Sequence, residues 1–207
     1  MKIWTKLCGF TLEEDVQAAV ALEVDAIGFI FVAGSKRNVS TKTARILIRH
    51  IPARIIPVGV FVDSDHETIL KTIETTGIRG VQLHGKETPE FVSSMTVPAI
   101  KAFRVGPGFL PSMADEYRGS RVLLDGFKEG MHGGTGVLVD WSIAAAIKSV
   151  PIILSGGLTP ENVRDGIRAV RPFGVDVSSG IERSPGIKDR DRMSAFVAEV
   201  RSAESTM

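Results

Sequence analysis

Short apolar runs rich in β-branched residues alternate with helix-patterned segments along the whole of this 207-residue chain, and no other feature limits its possible folds so severely. Strand-like runs occupy Ile3–Cys8, Asp25–Phe31, Ile55–Val62, Gly80–His84, Val97–Phe103, Arg121–Asp125, Pro151–Ser155 and Gly174–Ser178. Between them apolar residues recur at helical spacing: Leu12, Val16, Ala19 and Val20, then Ala44, Leu47 and Ile48, then Ile69 and Ile73. Val163, Ile167 and Val170 continue the pattern, and Met193, Phe196, Val197 and Val200 end it. Helix starts carry chemical marks. Thr11 with Glu14 and Ser64 with Glu67 fit the capping box, in which side chains satisfy free backbone N–H groups. Thr88 before Pro89 and Thr159 before Pro160 read as an N-cap followed by proline at the first helical position. Asp140 stands where it would cap a helix beginning at Trp141, and shorter helices are expected after Pro89 and Pro111.

Strands that are apolar almost throughout, joined by helices, imply a parallel sheet covered on its outer face. Eight such units with no Ser/Pro-rich linker or shift in composition predict one α/β domain over residues 1–207: a (β/α)8 TIM barrel with a closed eight-stranded parallel sheet. A doubly wound open sheet is the competing arrangement. It requires a glycine-rich turn after the first strand, where this chain has only Cys8-Gly9-Phe10-Thr11.

Charge narrows the partners. The 25 Lys and Arg residues against 24 Asp and Glu leave a net charge of +1, without the broad positive field of a nucleic-acid binder or a polybasic membrane protein. A local basic pocket for one small anion is still allowed. The single cysteine, Cys8, excludes an intrachain disulfide and a cysteine-based zinc cluster, and fits a reducing compartment. Met1 to Lys6 shows no secretory apolar region, and the longest apolar run, Ala26 to Gly34, is too short to span a bilayer. A soluble, cytoplasmic protein is therefore expected. His50, His66 and His132 are scattered without helical pairing, so no metal site is expected.

In a barrel the active site is built where strands end, so reactive side chains should cluster there. Lys6-Leu7-Cys8, Gln82-Leu83-His84, Leu124-Asp125, Ser155-Gly156-Gly157 and Asp176-Val177-Ser178-Ser179-Gly180 do so. Cys8 reads either as a small buried hydrophobe or as a reactive thiol, because strand alternation puts it on the face of Lys6, whose ammonium would lower the thiol pKa. Asp125 reads either as a turn residue or as a rim acid whose pKa desolvation would raise, ahead of the glycine-rich stretch Gly130 to Gly136. Gly156 and Gly157, with Ser178, Ser179 and Gly180, let backbone N–H groups approach an anion, and together they point to a phosphate more than to two tight turns. Arg37 offers a fork for a carboxylate or is a solvated loop residue, and His84 is a binding residue or a hydrogen-bonded rim histidine.

The blocks Lys6-Leu7-Cys8-Gly9, Val58-Gly59-Val60-Phe61-Val62, Val81-Gln82-Leu83-His84-Gly85, Leu123-Leu124-Asp125 and Gly133-Gly134-Thr135-Gly136 with Asp140-Trp141 resemble those of the phosphoribosylanthranilate isomerases. Leu154-Ser155-Gly156-Gly157-Leu158 and Gly174-Val175-Asp176-Val177-Ser178-Ser179-Gly180-Ile181-Glu182 complete the series, in the family's order and over nearly the whole chain. The resemblance implies an Amadori rearrangement of N-(5-phosphoribosyl)anthranilate in tryptophan biosynthesis; the substrate's own imine is the electron sink, so no metal or organic cofactor is expected, and either a monomer or a homodimer is expected. It implies Cys8 as general base, Asp125 as general acid, Arg37 on the substrate carboxylate, and His84 near the substrate, where Asp176 is also expected. It implies the two glycine and serine loops on the phosphate. One departure stands beside Arg37: Lys36 replaces the family's usual proline, which frees the loop backbone. A ribulose-phosphate epimerase would need metal-binding histidines, and an indole-glycerol-phosphate synthase an acid pattern that Lys6 and Lys101 do not complete. A non-catalytic phosphometabolite barrel would keep the glycine loops but need neither Cys8 nor Asp125.

Overall fold

Strand alternation becomes a closed wall. In the computed structural model, which describes residues 2–126 and 138–206, β1 (Trp4–Cys8), β2 (Ala26–Ile30), β3 (Ile56–Phe61) and β4 (Gly80–Leu83) pair in parallel in chain order. They continue into β5 (Ala99–Val105), β6 (Arg121–Gly126), β7 (Ile152–Leu154) and β8 (Gly174–Val177), and β8 closes on β1 with Lys6 opposite Asp176. The expected eight-stranded barrel is what the chain forms. The helices α1 (Glu13–Ala21), α2 (Thr41–Ile48), α3 (His66–Thr76), α4 (Pro89–Ser93), α5 (Trp141–Ala146), α6 (Val163–Val170) and α7 (Arg190–Glu204) follow the strands. Between β5 and β6 stands a 3-10 helix, Pro111–Tyr117, whose buried Ala114 and Tyr117 lie three residues apart, one turn of that tighter helix. Beyond β8 a 3-10 turn, Ser179–Ile181, leads into an antiparallel ribbon of β9 (Glu182–Ser184) and β10 (Ile187–Lys188). No helix of the described residues is long and apolar enough to cross a membrane.

The pleat sorts the side chains into two cores. Outward residues such as Leu7, Phe29, Phe61, Leu83, Leu124 and Val177 pack beneath the helices, together with Val16, Val163 and Phe196. Inward residues Ile100, Ala102, Leu123 and Ile153, with Trp4 against them, form a separate cluster in the barrel lumen. Higher in the lumen the inward positions turn polar, with Lys6, Gln82 and Asp176 all buried. Removing such groups from water is costly unless they bond to one another, so the lumen needs a closed polar network at this height.

Several local expectations change. The strand expected at Val97–Phe103 is displaced to Ala99–Val105, since it pairs only where β4 and β6 lie alongside. Thr11 does not cap α1: its hydroxyl donates to the Gly186 carbonyl at 2.6 Å, and Leu12 stands at the N-cap without a side-chain bond. At α3 the cap is Asp65, not Ser64, because its carboxylate accepts from Thr68 N at 2.7 Å. Thr159-Pro160 opens a turn and not a helix. Thr159 N donates to Asn162 Oδ1 at 2.9 Å, and α6 begins only at Val163. Thr88 and Asp140 cap α4 and α5 as expected.

Candidate active site

The C-terminal strand ends surround an open cavity. It receives Cys8 from β1, Asp125 from β6 and Asp176 from β8, with His84 just past β4 and Arg37 from the loop after β2. Gly156, Gly157, Ser178 and Ser179 line it as well, whereas Gly180 belongs to an adjoining depression with Thr159 and Arg192. A Cβ on Gly180 would lie 1.9 Å from the Leu158 carbonyl, so the β8 loop needs glycine there to lie against the β7 loop. The glycine-rich stretch Gly130 to Gly136 lies outside the described residues.

Cys8 is buried in a space that β2 leaves open: a Cβ on Gly28 would lie 2.6 Å from its Sγ. Nothing local in the sequence marks that requirement. The expected lowering of the thiol pKa is overturned. Burial pushes the Cys8 thiol above its ordinary value and outweighs the pull of the Lys6 ammonium, with Asp176 adding to the rise. Lys6 is itself fully buried. Burial opposes its charge, but Asp176 and Cys8 more than offset this and lift its pKa above the usual lysine value. The Asp176 charge thus offsets part of the Lys6 pull on Cys8.

A polar chain crosses the lumen. Lys6 Nζ donates to Asp176 Oδ1 and to Gln82 Oε1, both at 2.8 Å, and Ser155 Oγ lies 3.4 Å from Asp176 Oδ2. An ammonium has no acceptor, so the Gln82 oxygen must face Lys6 and its amide nitrogen, 3.4 Å from His84 Nδ1, must donate. His84 Nδ1 is then the acceptor, and the ring proton sits on Nε2, 3.7 Å from Asp125 Oδ2. Asp125 is nearly fully buried, and its Oδ1 accepts from Gly126 N at 2.9 Å.

Arg37 meets the cavity with one edge already engaged: Nε and Nη2 donate to the two oxygens of Glu182 at 2.8 and 2.7 Å. Its loop is braced despite Lys36. Arg37 N donates to Ser35 Oγ at 3.2 Å, and Asn38 N to the Ser35 carbonyl at 3.0 Å. At the glycine and serine loops, Gly156 and Gly157 adopt φ of +77° and +64°, which favours glycine. Among the described residues, Ser178 Oγ is buried and has no hydrogen-bond partner.

The structure therefore gathers nearly every residue singled out from the sequence. Gln82 and Ser155, quoted at the strand ends without a role, line the pocket as well, and the structure adds Arg104. Arg104 was legible in principle, since alternation from Ile100 and Ala102 carries the inward face to it, but the expected strand stopped at Phe103. Glu182 stood at the end of a quoted block but was given no role, and Lys188 gave no local signal. Among the described residues, no cluster of His, Cys, Asp and Glu is arranged to hold a metal ion.

Comparison with known proteins covers nearly the whole chain. The family profile of N-(5′-phosphoribosyl)anthranilate (PRA) isomerase matches residues 5–199. An N-(5′-phosphoribosyl)anthranilate isomerase of Nitrosomonas eutropha is 44% identical over 207 residues, covering 99% of this chain and 100% of that protein. Its counterpart from Dechloromonas aromatica is 44% identical and covers all of both chains. The crystal structure of phosphoribosyl anthranilate isomerase from Thermotoga maritima superposes with a TM-score of 0.90 at 37% identity, over 97% of this chain and 99% of that one. A structure of that enzyme type in complex with reduced 1-(o-carboxyphenylamino)-1-deoxyribulose 5-phosphate superposes with a TM-score of 0.85 at 37% identity, with the same coverage.

Proposed function

The chain belongs to the N-(5′-phosphoribosyl)anthranilate isomerase family, and from that premise we propose how its rim pocket works, with Cys8 as general base and Asp125 as general acid. The protein is an isomerase of tryptophan biosynthesis that converts N-(5-phosphoribosyl)anthranilate to 1-(2-carboxyphenylamino)-1-deoxyribulose 5-phosphate. The observation that carries the assignment of roles is the delivery of Cys8 and Asp125, from separate strands, into one cavity rimmed by an arginine and two glycine and serine loops.

Asp125 protonates the ribose ring oxygen, and the ring opens to an iminium. The iminium acidifies the C2′ proton, which the Cys8 thiolate removes to give an enolamine that tautomerises to the ketone. The substrate's own iminium is the electron sink. A raised Cys8 pKa means that fewer enzyme molecules carry the thiolate at neutral pH, but each thiolate is a stronger base. The Nε2–H of His84 faces Asp125 and helps to hold the carboxylate that remains once the acid has given up its proton. Arg37 takes the anthranilate carboxylate. Gly156, Gly157, Ser178, Ser179 and Gly180 take the phosphate, a reading supported by the buried, unpartnered Ser178 hydroxyl. Fixing both ends of the substrate holds its reacting carbons between acid and base.

The barrel acts as one catalytic domain, in the cytoplasm, as a monomer or homodimer; the Thermotoga maritima enzyme is described as dimeric. Purified protein should consume fluorescent phosphoribosylanthranilate and rescue a tryptophan auxotroph. Cys8→Ala and Asp125→Asn should each lower kcat by about 10² to 10⁴, the range for losing one acid or base. Near-wild-type turnover in either variant would remove that residue from its role.

A further inference from the structure

Four hydrogen bonds converge on the Glu182 carboxylate, in the depression that adjoins the pocket. Its Oε1 accepts from Arg37 Nε and from Lys188 Nζ, each at 2.8 Å, and from Gly186 N at 3.3 Å. Its Oε2 accepts from Arg37 Nη2 at 2.7 Å. Burial works against its charge, but Arg37 and Lys188 prevail and hold the carboxyl below its ordinary range. A carboxylate so engaged is neither a proton carrier nor a ligand for an anionic substrate. Its action must pass through what it holds.

It holds Arg37 by one edge. A guanidinium has two edges fit for a carboxylate: a side edge from Nε and one terminal nitrogen, and an end-on edge from the two terminal nitrogens. Glu182 occupies the side edge, so the end-on edge remains for a second carboxylate. The stem of Arg37 is constrained too, because it passes over Gly9, where a Cβ would lie 2.7 Å from Arg37 Cδ. Glu182 is itself anchored. Lys188 is fully buried and also donates to the Cys8 carbonyl at 2.6 Å and the Ser178 carbonyl at 3.2 Å, while its backbone N donates to Asp15 Oδ2 at 2.9 Å.

We propose that Glu182, anchored by Lys188, is a positioning residue that presents the end-on edge of Arg37 to the pocket and so sets the preference for a substrate bearing a carboxylate. The inference rests on the reading of Arg37 as the carboxylate site. A free arginine would give up considerable rotamer freedom on binding; one already held by a bidentate partner gives up little.

The test measures KM and kcat with phosphoribosylanthranilate and with the phosphoribosyl amine of aniline, which lacks the carboxylate. Glu182→Gln should raise KM for the carboxylate substrate by about tenfold, the scale of a lost charge-assisted hydrogen bond, with a smaller change in kcat. The same variant should leave KM for the aniline compound near wild type, and in the Arg37→Ala background it should add almost nothing. An equal penalty on both substrates, or a full penalty added to that of Arg37→Ala, overturns the proposal. If Arg37→Ala penalises both substrates alike, the reading of Arg37 fails instead, and the two failures are told apart by that variant alone. Should Glu182→Gln not fold, Glu182→Asp carries the test. It keeps the charge on a shorter stem, so a KM rise confined to the carboxylate substrate supports positioning, and none overturns it.

Discussion

Lys101–Glu87 and Lys188–Glu182 are matched in separation, at 2.7 and 2.8 Å, and in nearly complete burial, but they answer to different surroundings. Lys101 projects outward from β5 into the shell below the helices. There it also donates to the Gly85 carbonyl at 2.6 Å and lies 5.4 Å from the Phe103 ring centroid and 6.0 Å from that of Tyr117. Glu87 accepts from the backbone of Asp63 and Gly85, and Tyr117 donates to its carbonyl at 2.8 Å. Each partner in that knot is backbone or shell, so it ties the ends of β3 and β4 to the frame. The Lys188–Glu182 knot uses the same chemistry but takes Arg37 as its third member, and Arg37 faces the cavity. A buried ion pair is weak evidence for stability because the desolvation cost rivals the attraction. The third partner decides what the pair is for.

Breaking each knot should expose that difference. Among the described residues, Lys188→Met leaves Glu182 with Arg37 as its only cation, and it frees the Cys8 and Ser178 carbonyls. It should cost about 3 to 5 kcal/mol in denaturant unfolding and also lower kcat/KM in the folded protein. Lys101→Met should cost a similar amount by stranding Glu87, but leave kcat/KM of the folded protein near wild type. A large catalytic loss there would erase the distinction between the knots. Removing both members, as Lys101→Met with Glu87→Leu, should recover part of that stability, because no lone charge stays buried.

The pH profile sharpens the contrast. Burial raises the Cys8 thiol, while the positive charges of Lys6 and Lys188 act to lower it. The thiolate is the minor form below the thiol pKa and predominates only above it, so kcat/KM should climb through the alkaline range, above the ordinary thiol value. Removing the Lys188 charge should move that climb to still higher pH, and removing Lys101 should leave it in place. The smallest effect belongs to Tyr117→Phe, which deletes one hydrogen bond to the Glu87 carbonyl. It should cost about 1 kcal/mol by thermal unfolding with no change in KM.

The positions of the strands were legible because a strand's alternation is local, and seven of the eight expected runs match the observed strands to within a residue at each end. The polar strand ends were legible for the same reason: an apolar run that stops on Cys8, His84, Asp125 or Ser178 is visible without coordinates. Helix caps were less so. Thr11 carries the right residue type for a cap, but the carbonyl of Gly186, 175 positions away, takes its hydroxyl. The pKa of Cys8 was misjudged because proximity to Lys6 shows in the alternation, whereas the depth of burial and the claim of Asp176 on Lys6 do not.

What periodicity and residue type determined is the barrel, the rim on which its chemistry sits and the identity of most groups there, because these follow from spacings of a few residues. What only closure decided is which distant groups touch. The bond from Lys188 to the Cys8 carbonyl spans 180 residues, that from Lys6 to Gln82 spans 76, and the Arg37–Glu182 pair spans 145. Such contacts arise when β8 meets β1 and the lumen excludes water. At that point buried charges must find partners, wherever in the chain those partners lie.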